Sequence, residues 1–324
     1  PPRSTPLYSS AASDVYKRQD FFYEVIFNEE IGRMNSGGFV VTQQSVQYMA
    51  SPYIFKYGSS ILKAKYLPGT IKGKLIGCIG ITEPDAGSDI MSMKTNAKKD
   101  GNDWILNGSK HFISGPVMPD FAIVFASTGE DETPRGKRKR ITAFLVDVGE
   151  NGFEIGIGTK CVSYRGYHAL RLNFSDVRLG PNQILGEEGK GLELSGKWLG
   201  MGRIWVGASC CGKAERLFEL AKDWASTRKQ FGQPIGKFQA TGFKLADIAI
   251  ELRAADLMVN DAVRRANEGK MSDADAAMVK VYCSEMLNRA ADNTLQLYGG
   301  TVSYTHLRAH ETVLDLVCRL LLEK

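Results

Sequence analysis

The sequence predicts an α+β fold, with an N-terminal helical domain, a middle antiparallel β-barrel-like domain and a C-terminal helical bundle. The main observation is that the spacing of apolar residues changes from helical to strand-like near residue 77 and becomes helical again after residue 187. No Gly-x-Gly-x-x-Gly follows a predicted strand, so a doubly wound dinucleotide fold is not indicated. With 324 residues, of which 43% are apolar, the chain is long enough for two or three domains.

The two helical ends of this arrangement differ in helix length. Between residues 20 and 75 we predict short helices, with breaks at Gly37-Gly38, Pro52 and Pro68-Gly69. Three long helices are predicted at the other end, where apolar residues return every three or four positions. Their apolar faces are Ala214, Leu217, Phe218, Ala221, Trp224 and Ala225, then Leu245, Ile248, Leu252, Ala255 and Val259, then residues 276–297. We expect a partial N-terminal helical domain at 20–76, a middle β domain at 77–187 and a truncated C-terminal helical domain at 188–300.

Strand signals fill the middle segment. Asn107-Gly108 lies between two short apolar runs, 104–106 and 111–113, and this dipeptide favours the tight turn of a hairpin. The runs 121–125 and 141–146 are continuously apolar, which is typical of buried strands. A half-buried strand is predicted where apolar residues alternate with polar ones, at Leu170, Leu172 and Phe174.

The composition argues against several classes of protein. The formal net charge of +5 is spread along the chain and leaves no broad basic surface for nucleic acid. No apolar run approaches the roughly 20 residues that span a bilayer. The six cysteines and four histidines lack the spacing of a zinc site or the density of a disulfide scaffold. We therefore expect reduced thiols in the cytoplasm or an organelle matrix, with no metal and no membrane partner.

The highest local charge is a basic run of Arg135, Lys137, Arg138, Lys139 and Arg140. It follows Pro134 and an acidic stretch at residues 130–132. We interpret the run as the solvated tip of a hairpin at a sheet edge, because charged side chains are favoured there. A site for an anion or a partner is the alternative.

Several motifs resemble those of the acyl-CoA dehydrogenase family. The signature is Gly80-Ile-Thr-Glu-Pro-Asp-Ala-Gly-Ser-Asp89, followed by Asn107-Gly-Ser-Lys-His-Phe-Ile-Ser114. Further matches occur in the expected order at Tyr66-Leu-Pro68, 173–178, 184–187, 228–239 and 296–300. Each piece alone is a weak signal, but the ordered set covers most of the chain, from residue 20 to residue 300. The fold of that family is the arrangement predicted above.

The resemblance implies an FAD cofactor between the middle and C-terminal domains. It places Thr82 and Ser114 against the flavin edge and Phe112 over the ring, and it adds Ile81 and Ser88 to the cofactor-binding residues. Fixed donors at such positions stabilise the charge that builds on a flavin when a hydride arrives at N5. Taken by themselves, Thr82 and Ser114 are also consistent with ordinary turn hydroxyls.

A second group of positions implies a homodimer or homotetramer. Arg228 matches the family arginine that reaches the FAD pyrophosphate of a neighbouring subunit, a role that suits a planar, permanently charged group. Without the resemblance, Arg228 is an ordinary surface residue near a helix end. The residues expected to contact the same cofactor across the interface are Phe231, Gln239, Gln296, Gly299 and Gly300.

For an acyl-CoA substrate, the resemblance assigns Ser88 to the CoA thioester arm and Arg203 to the region of the CoA nucleotide. The alternative for Arg203 is an ion pair with a neighbouring carboxylate. We interpret the other large residues of that helix as core rather than as a substrate pocket, namely Trp198, Ile204, Trp205 and Val206.

The chemistry of the family requires a glutamate that removes the α-proton. Its usual position lies beyond the Gly-Gly turn, where this sequence has no equivalent segment, and Glu311 lies in the wrong context. In some relatives the glutamate directly precedes the arginine matched by Arg203, and here that position is Gly202. We therefore expect this chain to lack the catalytic base.

Both ends of the sequence depart from the family. Residues 1–19 and 301–324 resemble translated adapter or linker sequence fused to a gene fragment, and we expect both segments to be non-native. Genuine divergence from the family is the alternative.

The activity that the resemblance implies is flavin-dependent α,β-dehydrogenation of acyl-CoA to 2-enoyl-CoA, with electrons passed to an electron-transfer flavoprotein. An acyl-CoA oxidase and a catalytically dead fragment that binds flavin or acyl-CoA are the alternatives.

Overall fold

The computed structural model describes residues 20–34, 36–45, 50–115, 118–134, 136–160 and 167–301. They fall into two compact units. The first contains the described residues of Val41–Cys161 and Gly166–Lys197, and the second those of Asp20–Val40 and Trp198–Lys324. Helices precede and follow a β segment, which confirms the predicted α+β class. Within the described ranges, no helix is both long and apolar enough to cross a membrane.

Among the described residues, four helices precede the sheet: α1 (Phe21–Gly32), α2 (Gly37–Ser45), α3 (Ser51–Tyr57) and α4 (Ser60–Ile71). Side chains define two of their starts, since Asp20 accepts a hydrogen bond from the Phe22 amide at 2.9 Å and Ser59 accepts one from the Leu62 amide at 3.3 Å. Pro52 lies in the first turn of α3, where its missing N–H leaves no bond unmade.

The sheet of the first unit has eight strands: β1 (Gly77–Gly80), β2 (Asn96–Asp100), β3 (Asp103–Gly115), β4 (Phe121–Thr133), β5 (Gly136–Asp147), β6 (Phe153–Lys160), β7 (His168–Leu179) and β8 (Ile184–Leu185). Their order is β6-β7-β3-β2-β4-β5-β8, with β1 added beside β4. The described pairings are antiparallel except for those of β1 and β2 with β4. Short 3-10 turns lie at Ile90–Ser92 and Pro181–Gln183.

The prediction of a turn at Asn107-Gly108 is wrong. β3 runs through both residues, and the turn between β2 and β3 lies at residues 101–102. Gly108 instead marks a shift in the register of β3 against β7; its φ is 141°, and a Cβ there would lie 2.5 Å from Thr95 Oγ1. The Asn107 side chain donates to Asp176 of β7 at 2.9 Å. Strand pairing and close packing therefore override the local turn preference.

The other predicted strands are confirmed. Residues 121–126 and 141–146 are buried in neighbouring strands, and the inward side chains of β7 include Leu170, Leu172 and Phe174. The basic run lies in an exposed hairpin in which Lys137, Arg138 and Lys139 face the acidic residues 130–132 across the two strands. This confirms the hairpin interpretation; Arg135 lies outside the described residues.

The second unit is built on three long helices: α5 (Gly191–Thr227), which begins in the first unit, α6 (Gln239–Asn267) and α7 (Asp273–Tyr298). A small hairpin, β9 (Lys229–Gln230) and β10 (Gln233–Pro234), and a 3-10 turn at Ile235–Lys237 connect the first two. The predicted apolar faces meet in one buried cluster that includes Ala214, Leu217, Leu252, Ala255 and Val259. Four cysteines are described, and all are free and buried, namely Cys78, Cys210, Cys211 and Cys283.

Candidate functional site

The loop between β1 and β2, residues 81–95, contains three of the predicted site residues. Ile81 and Thr82 are half-buried, and Ser88 is exposed. The His111 amide of β3 donates to the Thr82 carbonyl at 2.8 Å. This bond places the start of the loop beside the part of β3 that contains Phe112 and Ser114, so four of the five positions predicted in this unit come together. No described hydrogen bond or ring contact joins Ser88 to them.

A buried ion pair lies under this loop. Lys110 Nζ is 2.7 Å from Glu83 Oε1, and the two side chains are 0% and 4% exposed. Lys110 also donates to the Ile81 carbonyl at 3.1 Å. The Glu83 carboxylate accepts hydrogen bonds from the amides of Lys94 at 2.6 Å and Thr95 at 3.1 Å. Glu83 therefore connects the first residues of the loop to its last two.

Burial and pairing shift the pKa values of Lys110 and Glu83 in opposite directions. Burial lowers the pKa of Lys110 to about 8, while the hydrogen bond and charge of Glu83 act to raise it. Burial acts to raise the pKa of Glu83, but the hydrogen bonds from Lys110, Thr95 and Lys94 outweigh it and hold the pKa below its ordinary value. Both side chains are charged at neutral pH, and each compensates the burial of the other.

Phe112 lies at a bulge of β3. The pairing with β7 slips between Lys110 and Ile113, and Phe112 has a φ of 55°, which is unfavourable for a residue with a side chain. Its ring is 57% exposed and packs edge-on against His111 with centroids 4.1 Å apart. A backbone cost of about 1–3 kcal/mol is typical of binding sites, where it serves to direct a side chain outwards. An outward ring fits a planar ligand.

Ser114 has a partner that the sequence did not indicate. Its Oγ lies 2.5 Å from the hydroxyl of Tyr167, the residue that precedes β7. Tyr167 belongs to none of the matched motifs, and only the pairing of β3 with β7 brings it close. The half-buried Ser114 hydroxyl is therefore held in a defined orientation at the edge of the site.

In the second unit, Trp224 joins two of the predicted segments. The Arg228 guanidinium lies 5.9 Å from the centre of the Trp224 ring. Trp224 Nε1 donates to the Leu297 carbonyl at 3.1 Å, and the indole stacks on Tyr298 at 4.7 Å. The end of α5 is thus fixed to the segment Gln296–Gly300. The sequence indicated Trp224 only as a core residue.

The β9–β10 hairpin presents Phe231 at its tip. Phe231 and Gly232 have φ values of 51° and 79°, as in a two-residue type I′ turn. The Phe231 side chain is 93% exposed and touches Phe238, which directly precedes Gln239 at the start of α6. A phenyl ring at a strained and exposed position fits contact with another molecule.

The remaining predicted residues of this group are also accessible. Arg228, Gln239, Gln296, Gly299 and Gly300 are exposed. Arg228 forms no ion pair with any described residue, so its charge is available to an anion. Gly299 has a φ of 60°, and a Cβ there would have no neighbour within 4 Å, which leaves its backbone open to close approach. Among the described side chains, no group of acidic, histidine or cysteine residues could hold a metal ion.

Arg203 lies on α5, half-buried and without an ion pair or hydrogen bond to a described residue. The alternative that it pairs with a carboxylate is therefore wrong for that part of the chain. The interpretation of its neighbours as core is confirmed for Ile204 and Trp205, whereas Val206 is 40% exposed; the Trp198 side chain lies outside the described atoms. A Cβ at Gly202 would have no neighbour within 4 Å.

Arg203 and Arg228 lie too far apart to serve the same group of a ligand. At 1.5 Å per residue, α5 extends about 36 Å from Arg203 to its end at Thr227. The two arginines of one chain therefore cannot contact the same charged group.

Glu24 of α1 fixes the neighbouring turn of α5. Its carboxylate accepts a hydrogen bond from Trp205 Nε1 at 2.7 Å. Burial raises the pKa of Glu24 to about 7, with the Trp205 bond acting in the opposite direction. This contact, between residues 181 positions apart, had no signal in the sequence.

The two units, each taken by itself, offer different kinds of contact to a ligand. The half-buried Thr82 and Ser114 and the outward Phe112 offer a polar edge and a flat face in the first unit. Arg228, Phe231 and the open backbone at Gly299 offer a cation, a second ring and a close approach in the other.

Three family models match successive parts of the chain. They are acyl-CoA dehydrogenase, N-terminal domain, at residues 17–74, the middle domain at 78–177 and the C-terminal domain at 189–317. The last match extends beyond Gly300, into the segment expected to be non-native.

Two curated relatives have specified chain-length preferences. A short-chain specific acyl-CoA dehydrogenase of Megasphaera elsdenii is 34% identical over 282 residues, which is 87% of this chain and 72% of that protein. The mitochondrial long-chain specific acyl-CoA dehydrogenase of Sus scrofa is 35% identical over 77% of this chain and 57% of its own length. The chain thus spans between about half and three quarters of these relatives.

Solved structures share the fold. Butyryl-CoA dehydrogenase from Megasphaera elsdenii has a TM-score of 0.86 and 30% identity, with 97% of this chain and 82% of that one covered. The FAD complex of PigA has a TM-score of 0.84 and 27% identity, with 93% and 77% covered.

Proposed function

The chain belongs to the acyl-CoA dehydrogenase family, and on that premise we propose that it comes from a flavin enzyme that oxidises the Cα–Cβ bond of acyl-CoA thioesters to 2-enoyl-CoA. The observation that supports this most is the geometry around Phe112. A strained, outward aromatic ring lies on the strand that is hydrogen-bonded to the Thr82 backbone, and Ser114 follows two residues later. An isolated β-domain has no structural need for that combination.

FAD is the cofactor that these residues would hold, and when bound it accepts the hydride that leaves the β-carbon. Thr82 and Ser114 would offer hydroxyl and backbone donors to the flavin edge, next to Ile81. Phe112 would cover one face of the ring and exclude water from it. Donors fixed in this way stabilise developing charge without reorganising.

We propose that a second copy of the chain completes the site with Arg228, Phe231, Gln239, Gln296, Gly299 and Gly300. Their exposure supports this, and so does an apolar stripe on α6, where Phe243, Ile250 and Leu257 recur every seven residues and remain exposed. Met278 and Val281 on α7 are also exposed. The assembly is a homodimer or a homotetramer.

The acyl-CoA substrate would use Ser88 along its thioester arm and Arg203 near its nucleotide. The absence of any described partner for Arg203 supports an anionic ligand there. Its separation from Arg228 supports the assignment of the two arginines to different ligands. Ser88 has no described contact with Thr82, Phe112 or Ser114, and its assignment is supported only by its position in the matched motif.

The catalytic base is the part of the mechanism for which the described residues offer no candidate. Gly202 occupies the alternative position and has no side chain, and the segment after Thr301 lies outside the described residues. We propose that this chain binds FAD weakly or not at all as a monomer and turns over acyl-CoA poorly. Mixing the FAD-loaded protein anaerobically with acyl-CoA tests this, and rapid bleaching of the flavin would contradict the missing base.

The electron acceptor is proposed to be an electron-transfer flavoprotein. An acyl-CoA oxidase is the alternative, and hydrogen peroxide release measured against the reduction of an artificial acceptor distinguishes the two. Gly202 favours a further candidate, a catalytically dead fragment that only binds flavin or acyl-CoA; FAD binding without any turnover would support it. The four free and buried cysteines fit a reducing compartment, the cytoplasm or an organelle matrix.

A further inference from the structure

We propose that the buried pair Lys110–Glu83 is a positioning element of the flavin site. Its function would be to fix the backbone of the 81–95 loop, so that Ile81 and Thr82 face the cofactor in one geometry. The inference rests on the proposed FAD site. It concerns two residues that touch no ligand and act through the loop.

The hydrogen bonds of the pair close the loop at both ends. Lys110 donates to the Ile81 carbonyl at 3.1 Å, at the start of the loop. Glu83 accepts from the amides of Lys94 at 2.6 Å and Thr95 at 3.1 Å, at its end. The 2.7 Å contact between Lys110 and Glu83 connects these two sets of bonds. A change in the pair therefore moves both ends of the loop together.

The packing around the pair leaves little freedom. A Cβ at Gly80 would lie 3.0 Å from Lys110 Cγ, so the glycine makes room for the lysine stem. Thr95 lies against Gly108, and its hydroxyl donates to the Ser109 carbonyl at 3.3 Å. Gly80 and Gly108 thus leave room for the Lys110 stem and for Thr95, directly before the bulge that directs Phe112 outwards.

Stability alone does not account for an ion pair at this place. Two well-packed apolar residues usually stabilise a core as much as a buried ion pair or more, whereas an ion pair with fixed hydrogen bonds specifies one geometry. Here the specified geometry is that of the backbone which presents Thr82. Preorganised groups of this kind reduce the ordering that a ligand must impose when it binds.

The test compares FAD binding by wild-type protein and by the double variant Glu83→Gln/Lys110→Met. This variant removes both charges at nearly constant volume, so neither charge is left alone in the core. The matched control is Asp85→Asn, which breaks an ion pair of the same loop, Asp85 with Lys94 at 2.6 Å, whose side chains are 67% and 75% exposed. The measurements are the FAD dissociation constant, the visible circular dichroism of the bound flavin and the thermal unfolding of the apoprotein.

We expect the double variant to unfold at a lower temperature than the wild type, because a glutamine side chain accepts from only one of the two loop amides. We expect its FAD dissociation constant to be raised about 10-fold or more, with an altered flavin dichroism. For Asp85→Asn we expect a change of no more than about 2-fold, because exposed ion pairs contribute little. Wild-type affinity and dichroism in the double variant would overturn the inference. Wild-type protein that binds no FAD would instead overturn the proposed function.

A second variant decides the matter if the double variant does not fold. Gly80→Ala keeps both charges but places a methyl group 3.0 Å from Lys110 Cγ, so that the lysine side chain must shift. We expect it to weaken FAD binding about 3-fold or more, because a small displacement of a positioning group has a large effect on ligand geometry. Unchanged affinity and dichroism in Gly80→Ala would then contradict the positioning role.

Discussion

Replacing Glu24 with glutamine tests how the part of α5 next to Arg203 is held. The Glu24 side chain is half-buried, and its carboxylate accepts a hydrogen bond from Trp205 Nε1 at 2.7 Å. A glutamine keeps an oxygen that accepts this bond but has no charge. The structure predicts that the variant is more stable than the wild type at alkaline pH and nearly equal to it in mild acid.

The magnitude follows from the pKa of Glu24, which burial raises from 4.5 to about 7. A shift of this size corresponds to about 3 kcal/mol of differential stability. Because the folded state holds the proton more tightly than the unfolded state, the contribution of Glu24 is fully present below pH 4.5 and is lost as the pH rises through 7. The free energy of unfolding of Glu24→Gln should therefore exceed that of the wild type by an amount that grows by about 2–3 kcal/mol between pH 5 and pH 8.

Urea unfolding followed by tryptophan fluorescence at pH 5, 6, 7 and 8 measures this difference. Glu29, whose pKa is also raised to about 7 by burial and by Asp256, Glu215 and Glu30, is present in both proteins and cancels. The control is Glu154→Gln on an exposed strand position, for which we expect a difference within about 0.5 kcal/mol at every pH. A difference for Glu24→Gln that does not change with pH, or a variant that is less stable at pH 8, would refute the reasoning.

Three further predictions concern ligands. Arg203→Gln should weaken the binding of a CoA thioester about 10-fold, since a charge-assisted contact is lost. The binding of a pantetheine thioester, which has no nucleotide, should be unaffected. Calorimetry measures both affinities, and an equal loss for the two ligands would contradict the assignment of Arg203 to the CoA nucleotide. Gly202→Glu should make the bound flavin bleach faster with acyl-CoA than in the wild type, because the Cβ position is open and the glutamate supplies a base; Gly202→Gln should not. Stopped-flow absorbance compares the two variants, and equal bleaching rates would exclude position 202 as a site for the base. Phe112→Gly should change the stability of the apoprotein by less than about 1 kcal/mol, since relief of the strained φ offsets the entropy of glycine. The same variant should bind FAD more weakly. Thermal unfolding and FAD titration measure these effects, and an unchanged FAD affinity would contradict the role of the ring.

The elements that the sequence predicted well are those set by a local pattern. The apolar runs at 121–125 and 141–146 and the helical faces of α5 and α6 lie in the cores that their spacing indicated. The prediction of a turn at Asn107-Gly108 is wrong because strand pairing and the packing of Thr95 against Gly108 outweigh the preference of the dipeptide for a turn. A propensity measured over two residues cannot include the strand beside them.

The site shows the same division. Motifs located Thr82, Phe112 and Ser114, and the structure brings them together on one loop and one strand. The motifs did not indicate that Lys110 and Glu83 are buried, because charged residues are expected at the surface and these two are 27 positions apart. Tyr167 likewise reaches Ser114 only through the pairing of β3 with β7. Such partners depend on tertiary contacts, which no local pattern contains.

The central claim is that a flavin lies against the 81–95 loop at Thr82 and that a second copy of the chain completes the flavin site. The most direct measurement is gel filtration of the protein after incubation with excess FAD, over a range of protein concentrations, with light scattering and visible absorbance recorded together. Flavin absorbance should elute with the dimer or tetramer and increase as the oligomer fraction increases. Folded oligomer that elutes without flavin at every concentration would contradict the claim.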